Sequence, residues 1–174
     1  MMAVLNALGY YATWMAAVIG AGSGHGWLGP AAAMIFITWH LSVVRQPAAD
    51  LQLLAIAVVL GGLVDSLWVA SGILVFASAG PWPGFAPIWI LSIWAAFALT
   101  LNHCLRALQR RRLIAAALGF VGAPLAYWGA ALGWSAVQLT SPTMALLLIG
   151  VAWALITPLL LHLAERLDAG ERTA

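Results

Sequence analysis

The chain has 174 residues, of which 64% are hydrophobic and only 7% are charged, and its mean hydropathy is +1.01. Soluble globular domains carry about 25% charged residues, so this composition excludes a protein whose whole surface faces water. The formal net charge is +2 and the pI is about 9.2. Because no domain outside the membrane remains to bind nucleic acid, we interpret the basic excess as membrane anchoring.

Six apolar segments have about the length that a membrane crossing requires. A hydrocarbon core of about 30 Å needs about 20 apolar residues in a helix, and the short alternating strands of a barrel are absent. We therefore predict an all-α, polytopic membrane bundle that forms a single integral membrane domain over residues 1–174. The predicted transmembrane helices are residues 3–21, 27–44, 51–76, 84–105, 113–135 and 143–164, followed by a tail over residues 165–174.

The first two predicted helices are joined by a glycine-rich turn at residues 20–26. The apolar run from Ala3 is not preceded by a basic region, so we interpret it as a transmembrane helix and not as a cleaved signal peptide. Glycine clusters between apolar runs mark loops. The second helix ends in His40, shortly before Arg45.

The third predicted helix carries a single acid deep in the membrane. Asp65 follows Asp50 by fifteen positions, which is about 22 Å along a helix that rises 1.5 Å per residue. An ionisable residue at that depth usually marks a pathway or a site, although a hydrogen bond that only fixes helix packing is the alternative. We expect Asp65 to be protonated or strongly hydrogen-bonded. Donors at a similar depth are Trp94, Tyr127, Trp128 and Trp153.

Polar residues gather at the end of the fourth predicted helix. Asn102 and His103 could orient a lipid headgroup or act as an acid–base pair, and capping of helix carbonyls is the alternative. Together with Asp65 they form the predicted catalytic set. We expect the arginines of the next connection to bind anionic lipid headgroups, at about 1 kcal/mol each. These arginines are Arg106, Arg110, Arg111 and Arg112.

The fifth predicted helix carries a small-residue stripe, and the sixth ends in a histidine. Gly122, Ala126, Gly129 and Gly133 form the stripe, which predicts close approach of a neighbouring helix. His162 lies shortly before an arginine, as His40 and His103 do, so the three histidines share one depth. They are a candidate set for a metal site, but no paired i, i+4 spacing supports it. Our prediction is therefore no metal and no cofactor.

The arginines orient the predicted bundle. If the chain crosses the membrane six times, all of them fall on one side, in the second and fourth connections and after the last helix. The positive-inside rule makes that side cytoplasmic and places both termini there. The short loops predict that the helices pack as three antiparallel hairpins. The seven arginines are Arg45, Arg106, Arg110, Arg111, Arg112, Arg166 and Arg172.

Four segments of the chain resemble a bacterial membrane family catalogued as domain of unknown function two-eight-seven-eight. They are residues 61–66 (GGLVDS), 86–89 (APIW), 94–103 (WAAFALTLNH) and 122–127 (GAPLAY). The resemblance covers nearly the whole chain and implies a compact multi-helix protein of the Gram-negative inner membrane. It also implies an association with lipid-modifying enzymes. Family members carry serine where this chain has Cys104, which argues against a catalytic thiol.

Three hypotheses for the function remain. The first is an accessory or structural component of envelope or lipid metabolism in the bacterial inner membrane, which predicts an Asp65 held by neighbouring donors and no open cavity. The second is an intramembrane enzyme that uses Asp65 as acid or base on a lipid, which predicts a lipid-sized pocket reaching Asp65. The third is a small transporter, for which a second half-site is missing. The expected partners are membrane lipids and a lipid-modifying enzyme, and not nucleic acid.

Overall fold

The computed structural model describes residues 1–45, 47–80 and 82–173, with side chains described up to residue 170. The side chain of Arg172 therefore lies outside the described residues. Within these ranges the prediction of an all-α protein with six helices is confirmed. The helices are α1 (Met2–Gly22), α2 (Leu28–Val43), α3 (Ala48–Ala70), α4 (Ile88–Ala98), α5 (Arg112–Trp134) and α6 (Pro142–Thr173), and the shorter elements are β1 (Leu74–Phe76), a 3-10 turn at Arg106–Leu108 and β2 (Val137–Leu139).

Four of the described helices are long and apolar enough to cross a membrane. They are α1, α3, α5 and the part of α6 over Pro142–Gly170. Helices α2 and α4 are also apolar but have 16 and 11 residues. Large apolar side chains lie exposed on the outside of the bundle, among them Leu113 at 87% and Leu155 at 70%. A surface of this kind suits lipid and not water, which indicates an integral membrane protein.

Helix α3 ends at Ala70, six residues earlier than predicted. Gly72 has a φ of +70°, its N–H donates to the Val69 carbonyl, and the Ile73 N–H donates to the Trp68 carbonyl, both at 3.0 Å. This paired arrangement on a left-handed glycine is a common helix stop. The apolar residues that follow form β1, which pairs antiparallel with β2. Hydropathy had not distinguished this short strand from helix.

Helix α4 is also shorter than the predicted segment 84–105. It begins after Pro87 and ends at Ala98. The Thr100 hydroxyl donates to the Phe97 carbonyl at 2.6 Å, and such side-chain bonds compete with continued helix. Residues 99–111 then continue as successive turns. Asn102 and His103 consequently lie in a compact connection and not on a helix.

Helix α6 continues into the predicted tail over residues 165–174 and reaches Thr173. Its last described turns lie beside the α4–α5 connection, where Arg106 pairs with Asp168 at 3.1 Å and Arg110 with Glu165 at 3.6 Å. Arg45 lines a cavity together with Arg106 and Asp168. The second connection, the fourth connection and the end of α6 therefore meet at one end of the bundle, which we call the arginine end.

The opposite end is formed by the first, third and fifth connections. Strand β1 belongs to the third connection and pairs with β2 of the fifth. The Ser78 hydroxyl of the third connection donates to the Ala21 carbonyl at the end of α1, at 3.1 Å. We call this end the strand end.

Close approach of α5 and α6 occurs at Gly119 and not at the predicted small-residue stripe. A Cβ at Gly119 would overlap the Trp153 carbonyl oxygen of α6. By contrast, a Cβ at Gly122, Gly129 or Gly133 would meet no described atom within 4 Å. The stripe therefore does not bring helices together, because it faces open space and, at Gly122, a cavity.

Candidate functional site

Three side chains from three parts of the chain meet at the arginine end. Asp50 lies in the first turn of α3, His40 near the end of α2, and His103 in the α4–α5 connection. The Asp50 Oδ2 lies 2.9 Å from His40 Nε2 and 2.8 Å from His103 Nε2. The two imidazole rings cross edge to face with centroids 4.6 Å apart. We call this group the Asp50 cluster.

Amide side chains contact Asp50 and His40 and hold the Asp50 cluster in place. Asn102 Nδ2 donates to Asp50 Oδ1 at 3.0 Å, and Gln109 Nε2 donates to Asn102 Oδ1 at 2.9 Å. On the other side, Asn6 Nδ2 lies 3.4 Å from His40 Nδ1 and donates to the Leu99 carbonyl at 3.0 Å. A buried polar group is stable only when its partners satisfy it, and here both Asp50 oxygens accept bonds. The carboxylate is thus fixed in position.

A polar cavity of about 220 Å³ opens beside the Asp50 cluster. The side chain of His103 is 21% exposed, whereas that of His40 is 1% exposed, so the cavity reaches the cluster through His103. Two arginines add positive charge to its wall. The lining residues are Val44, Arg45, Ala49, Asp50, Asn102, His103, Arg106 and Asp168.

The predicted three-histidine set is only partly brought together. His40 and His103 meet, but His162 is not a member of the cluster, because its Nδ1 lies 3.2 Å from the Arg112 guanidinium. Histidines at one depth can point in different directions around a bundle, and α6 presents His162 to the start of α5. Asp50 takes the third position.

The predicted headgroup arginines are partly neutralised by acids of α6. Arg106 and Arg110 form the two ion pairs described above, and Arg111 and Arg112 are exposed. Cys104 lies in the same connection, where burial raises the pKa of its thiol and so disfavours the reactive thiolate.

Asp65 is completely buried in the middle of the bundle, on the α3 face that also carries Asp50. Trp94 Nε1 donates to its Oδ2 at 2.7 Å and the Tyr127 hydroxyl donates to its Oδ1 at 2.5 Å. Both are among the four predicted donors. Trp128 is instead 48% exposed, and Trp153 Nε1 is buried with no hydrogen-bond partner among the described residues.

Gly61 makes the approach of Trp94 to Asp65 possible. A Cβ at Gly61 would overlap the indole ring of Trp94, so only glycine leaves room for the ring against α3. This contact gives a physical reason for the first glycine of the pair that precedes Asp65 in the sequence.

An apolar cavity of about 330 Å³ lies between α1, α4, α5 and α6. Phe76 and Val137 line it at the strand end, and Leu105 and Leu108 line it at the arginine end. Its walls include Trp94 and Tyr127, but Asp65 lies behind them and lines neither cavity in the described part of the chain. Four tryptophans contribute to the lining: Trp14, Trp89, Trp94 and Trp153.

Sequence reasoning missed Asp50, which served only as a marker for the start of the third helix. The available signal was its position in the sequence. Asp50 comes only ten residues after His40, across one short connection, so the two residues lie at a similar depth. An acid there lies at the arginine end of the bundle, the end at which His40, Asn102 and His103 were already expected.

Comparison with known proteins gives one result. Neither the curated proteins nor the solved structures contain a match to this chain. The family model described as "Protein of unknown function (DUF2878)" matches residues 3–159, which run from the start of α1 to beyond the middle of α6. This is the family that the sequence resembles. The chain therefore belongs to the DUF2878 family.

Proposed function

We propose that this protein is a multi-pass protein of the bacterial inner membrane that binds one lipid and serves as an accessory component of envelope lipid metabolism. The observation that carries the proposal is the apolar cavity inside the bundle. Its volume of about 330 Å³ lies within the range of roughly 300–1,000 Å³ of small-molecule sites. In a membrane, the apolar molecule available to fill such a cavity is a lipid chain.

The two cavities suit the two parts of an amphiphile. His103 and Arg106 line the polar cavity, and Leu105 and Leu108 of the same connection line the apolar one. An anionic headgroup near the arginines and a chain among the tryptophans would satisfy both surfaces. Thr157 also lines the apolar cavity, although its Oγ1 is buried against Gly119 of α5.

The six-span topology belongs to this proposal. The helices of both lengths would cross the membrane as three hairpins, α1 with α2, α3 with α4 and α5 with α6, and these sequence neighbours do pack against one another. The arginine end would face the cytoplasm together with both termini. A reporter fused after Trp82, at the strand end, should read as periplasmic. A cytoplasmic reading would overturn the orientation and the span count.

The enzyme hypothesis remains the second candidate. The apolar cavity favours it, because the accessory hypothesis predicted that there is no open cavity. Asp65 is an unfavourable acid or base, because its two oxygens accept bonds from buried donors and it does not line the cavity. A lipid-modifying enzyme is the partner that we propose for the accessory role. Transport is the third candidate and has no specific observation in its favour.

The proposal is tested by filling the cavity. Gly122 lines the apolar cavity and Gly129 of the same helix does not, and a Cβ at either residue meets no described atom within 4 Å. The substitution Gly122→Leu should reduce the phospholipid that the detergent-purified protein retains, measured per chain by mass spectrometry. Gly129→Leu is the matched control and should retain as much as the wild type. Equal retention by both variants, or none by the wild type, would refute lipid binding in this cavity.

A further inference from the structure

We propose that His40, Asp50 and His103 form a binding site for one divalent transition-metal ion, of the kind that takes imidazole and carboxylate ligands, such as zinc or ferrous iron. The three side chains each offer one ligand atom, and these atoms lie within 4.8 Å of one another. Two imidazoles and one carboxylate with open positions are a known ligand set for such ions. The proposal does not depend on lipid binding.

The distances within the cluster fit a shared ion. Nitrogen and oxygen ligands lie about 2.0–2.2 Å from such ions, so two of them at a right angle are about 3 Å apart. The Asp50 Oδ2 is 2.9 Å from His40 Nε2 and 2.8 Å from His103 Nε2. The same atoms that now share hydrogen bonds could therefore share a metal ion after small rotations of the rings.

The residues around the cluster hold its ligand side chains in place, as outer-shell residues do in metal sites. Ligating carboxylates are usually held by further hydrogen bonds, and here Asn102 and Gln109 form a chain behind Asp50 Oδ1. This leaves Oδ2 directed at both histidines. Asp50 is 2% exposed and His40 is 1% exposed, so two of the three ligands are preorganised by packing.

Asp50 and Asn6 together indicate the tautomer of His40. The Asp50 carboxylate accepts a proton on Nε2, and the amide Nδ2 of Asn6 then faces the unprotonated Nδ1. A metal-bound imidazole carries its proton on Nδ1 and needs an acceptor there. The Oδ1 of Asn6 is buried with no hydrogen-bond partner among the described residues. Rotation of this amide would supply the acceptor, in exchange for the bond from Nδ2 to the Leu99 carbonyl.

The polar cavity gives the ion access and room for a further ligand. Asp50 and His103 both line this cavity, so open coordination positions would face it. Arg106 on its wall is paired with Asp168, but Arg45 also lines the cavity and favours an anionic molecule as the additional ligand. One carboxylate and two neutral imidazoles leave a divalent ion with net positive charge, which acts in the same direction. Phosphate or carboxylate is the group of matching chemistry.

The test is direct metal binding by the full-length chain, purified in detergent without a histidine tag and stripped with a chelator. Zn²⁺ is titrated by calorimetry, and Co²⁺ is titrated by absorption because its spectrum reports ligand type. We expect one ion per chain. His103→Ala and Asp50→Asn should each weaken binding by at least about tenfold. His162→Ala is the matched control and should bind as the wild type does.

Asp50→Asn keeps the size of the side chain, and the elution profile and circular dichroism of each variant show whether it is folded. Asn6→Ala supplies a second, finer test, since loss of an outer acceptor should weaken binding by about 10–100-fold while all three ligands remain. The proposal is overturned if the folded wild type binds neither ion. It is equally overturned if His162→Ala weakens binding as much as His103→Ala.

Discussion

Two aspartates on one face of α3 are both almost fully buried, yet their surroundings differ in kind. Asp65 is held by an indole N–H and a phenol O–H, neither of which readily changes its charge. Asp50 is held by two imidazoles and an amide, beside a polar cavity. Imidazole can donate, accept or bind a metal. The difference shows that the chemistry of a buried acid depends on whether its partners can change state and whether solvent reaches them.

The comparison predicts that removal of the Asp65 carboxylate has the largest effect on stability. Asp65→Leu should lower the free energy of unfolding by roughly 2–6 kcal/mol, because each of two buried donors left unsatisfied costs about 1–3 kcal/mol. Equilibrium unfolding in mixed micelles measures the loss. Adding Tyr127→Phe to Asp65→Leu should recover part of it, since one of the unsatisfied donors is then absent. If the double variant is simply additive, the hydroxyl is not satisfied by Asp65.

Removal of the Asp50 carboxylate should cost less. Asp50→Leu is expected to lower the free energy of unfolding by about 1–3 kcal/mol, because water in the cavity can replace the lost partner of His103 and Asn102 but not that of His40. The same unfolding measurement applies. A loss as large as that for Asp65→Leu would show that the polar cavity gives no relief, and the contrast between the two acids would fail.

A smaller effect is expected at the glycine pair beside Asp65. In Gly61→Ala the added methyl overlaps Trp94, an overpacking that costs about 1–3 kcal/mol, partly offset by about 1 kcal/mol from the better helix propensity of alanine. Gly62→Ala is the control, because its Cβ would meet Leu91 at an ordinary 3.5 Å. Gly61→Ala should therefore be less stable than Gly62→Ala. The opposite order would show that the ring of Trp94 is not fixed against α3.

Asp65→Asn should cost less than Asp65→Leu, because the amide Oδ1 can still accept from Trp94 and only the Tyr127 O–H loses its acceptor. The free energy of unfolding should fall by about 1–3 kcal/mol, the cost of one buried donor left unsatisfied. The lipid composition of a deletion strain complemented with this variant should match that with the wild type. If the variant folds but the composition matches the deletion strain, Asp65 transfers a proton and the enzyme hypothesis gains over the accessory one.

The fold could be predicted where hydropathy and turn residues agree. The helices α1, α2 and α5 begin and end within one residue of their predicted bounds. The ends of α3 and α4 were wrong because they depend on local bonding, at Gly72 and at Thr100, which hydropathy does not describe. The extension of α6 past residue 164 was missed because its charged last turns read as a tail.

The depth of each site residue in the bundle could be predicted from the sequence, but the direction of its side chain could not. Trp94 and Tyr127 were expected beside Asp65 because distance along a helix fixes depth. Which histidines meet depends on rotation about each helix axis and on the path of residues 99–111, and neither follows from spacing. His162 was therefore placed with His40 and His103 although it faces Arg112, while Asp50 was overlooked.

The strand pair gives the apolar cavity a floor. Phe76 and Val137 are register partners in β1 and β2, and both line the cavity at the strand end. A molecule held there could not leave through that end unless the backbone hydrogen bonds of the strand pair broke. Carriers of the alternating-access kind open in turn to two sides of the membrane. Under the proposed lipid-binding role, by contrast, a lipid chain would enter and leave the cavity by sides other than the strand pair.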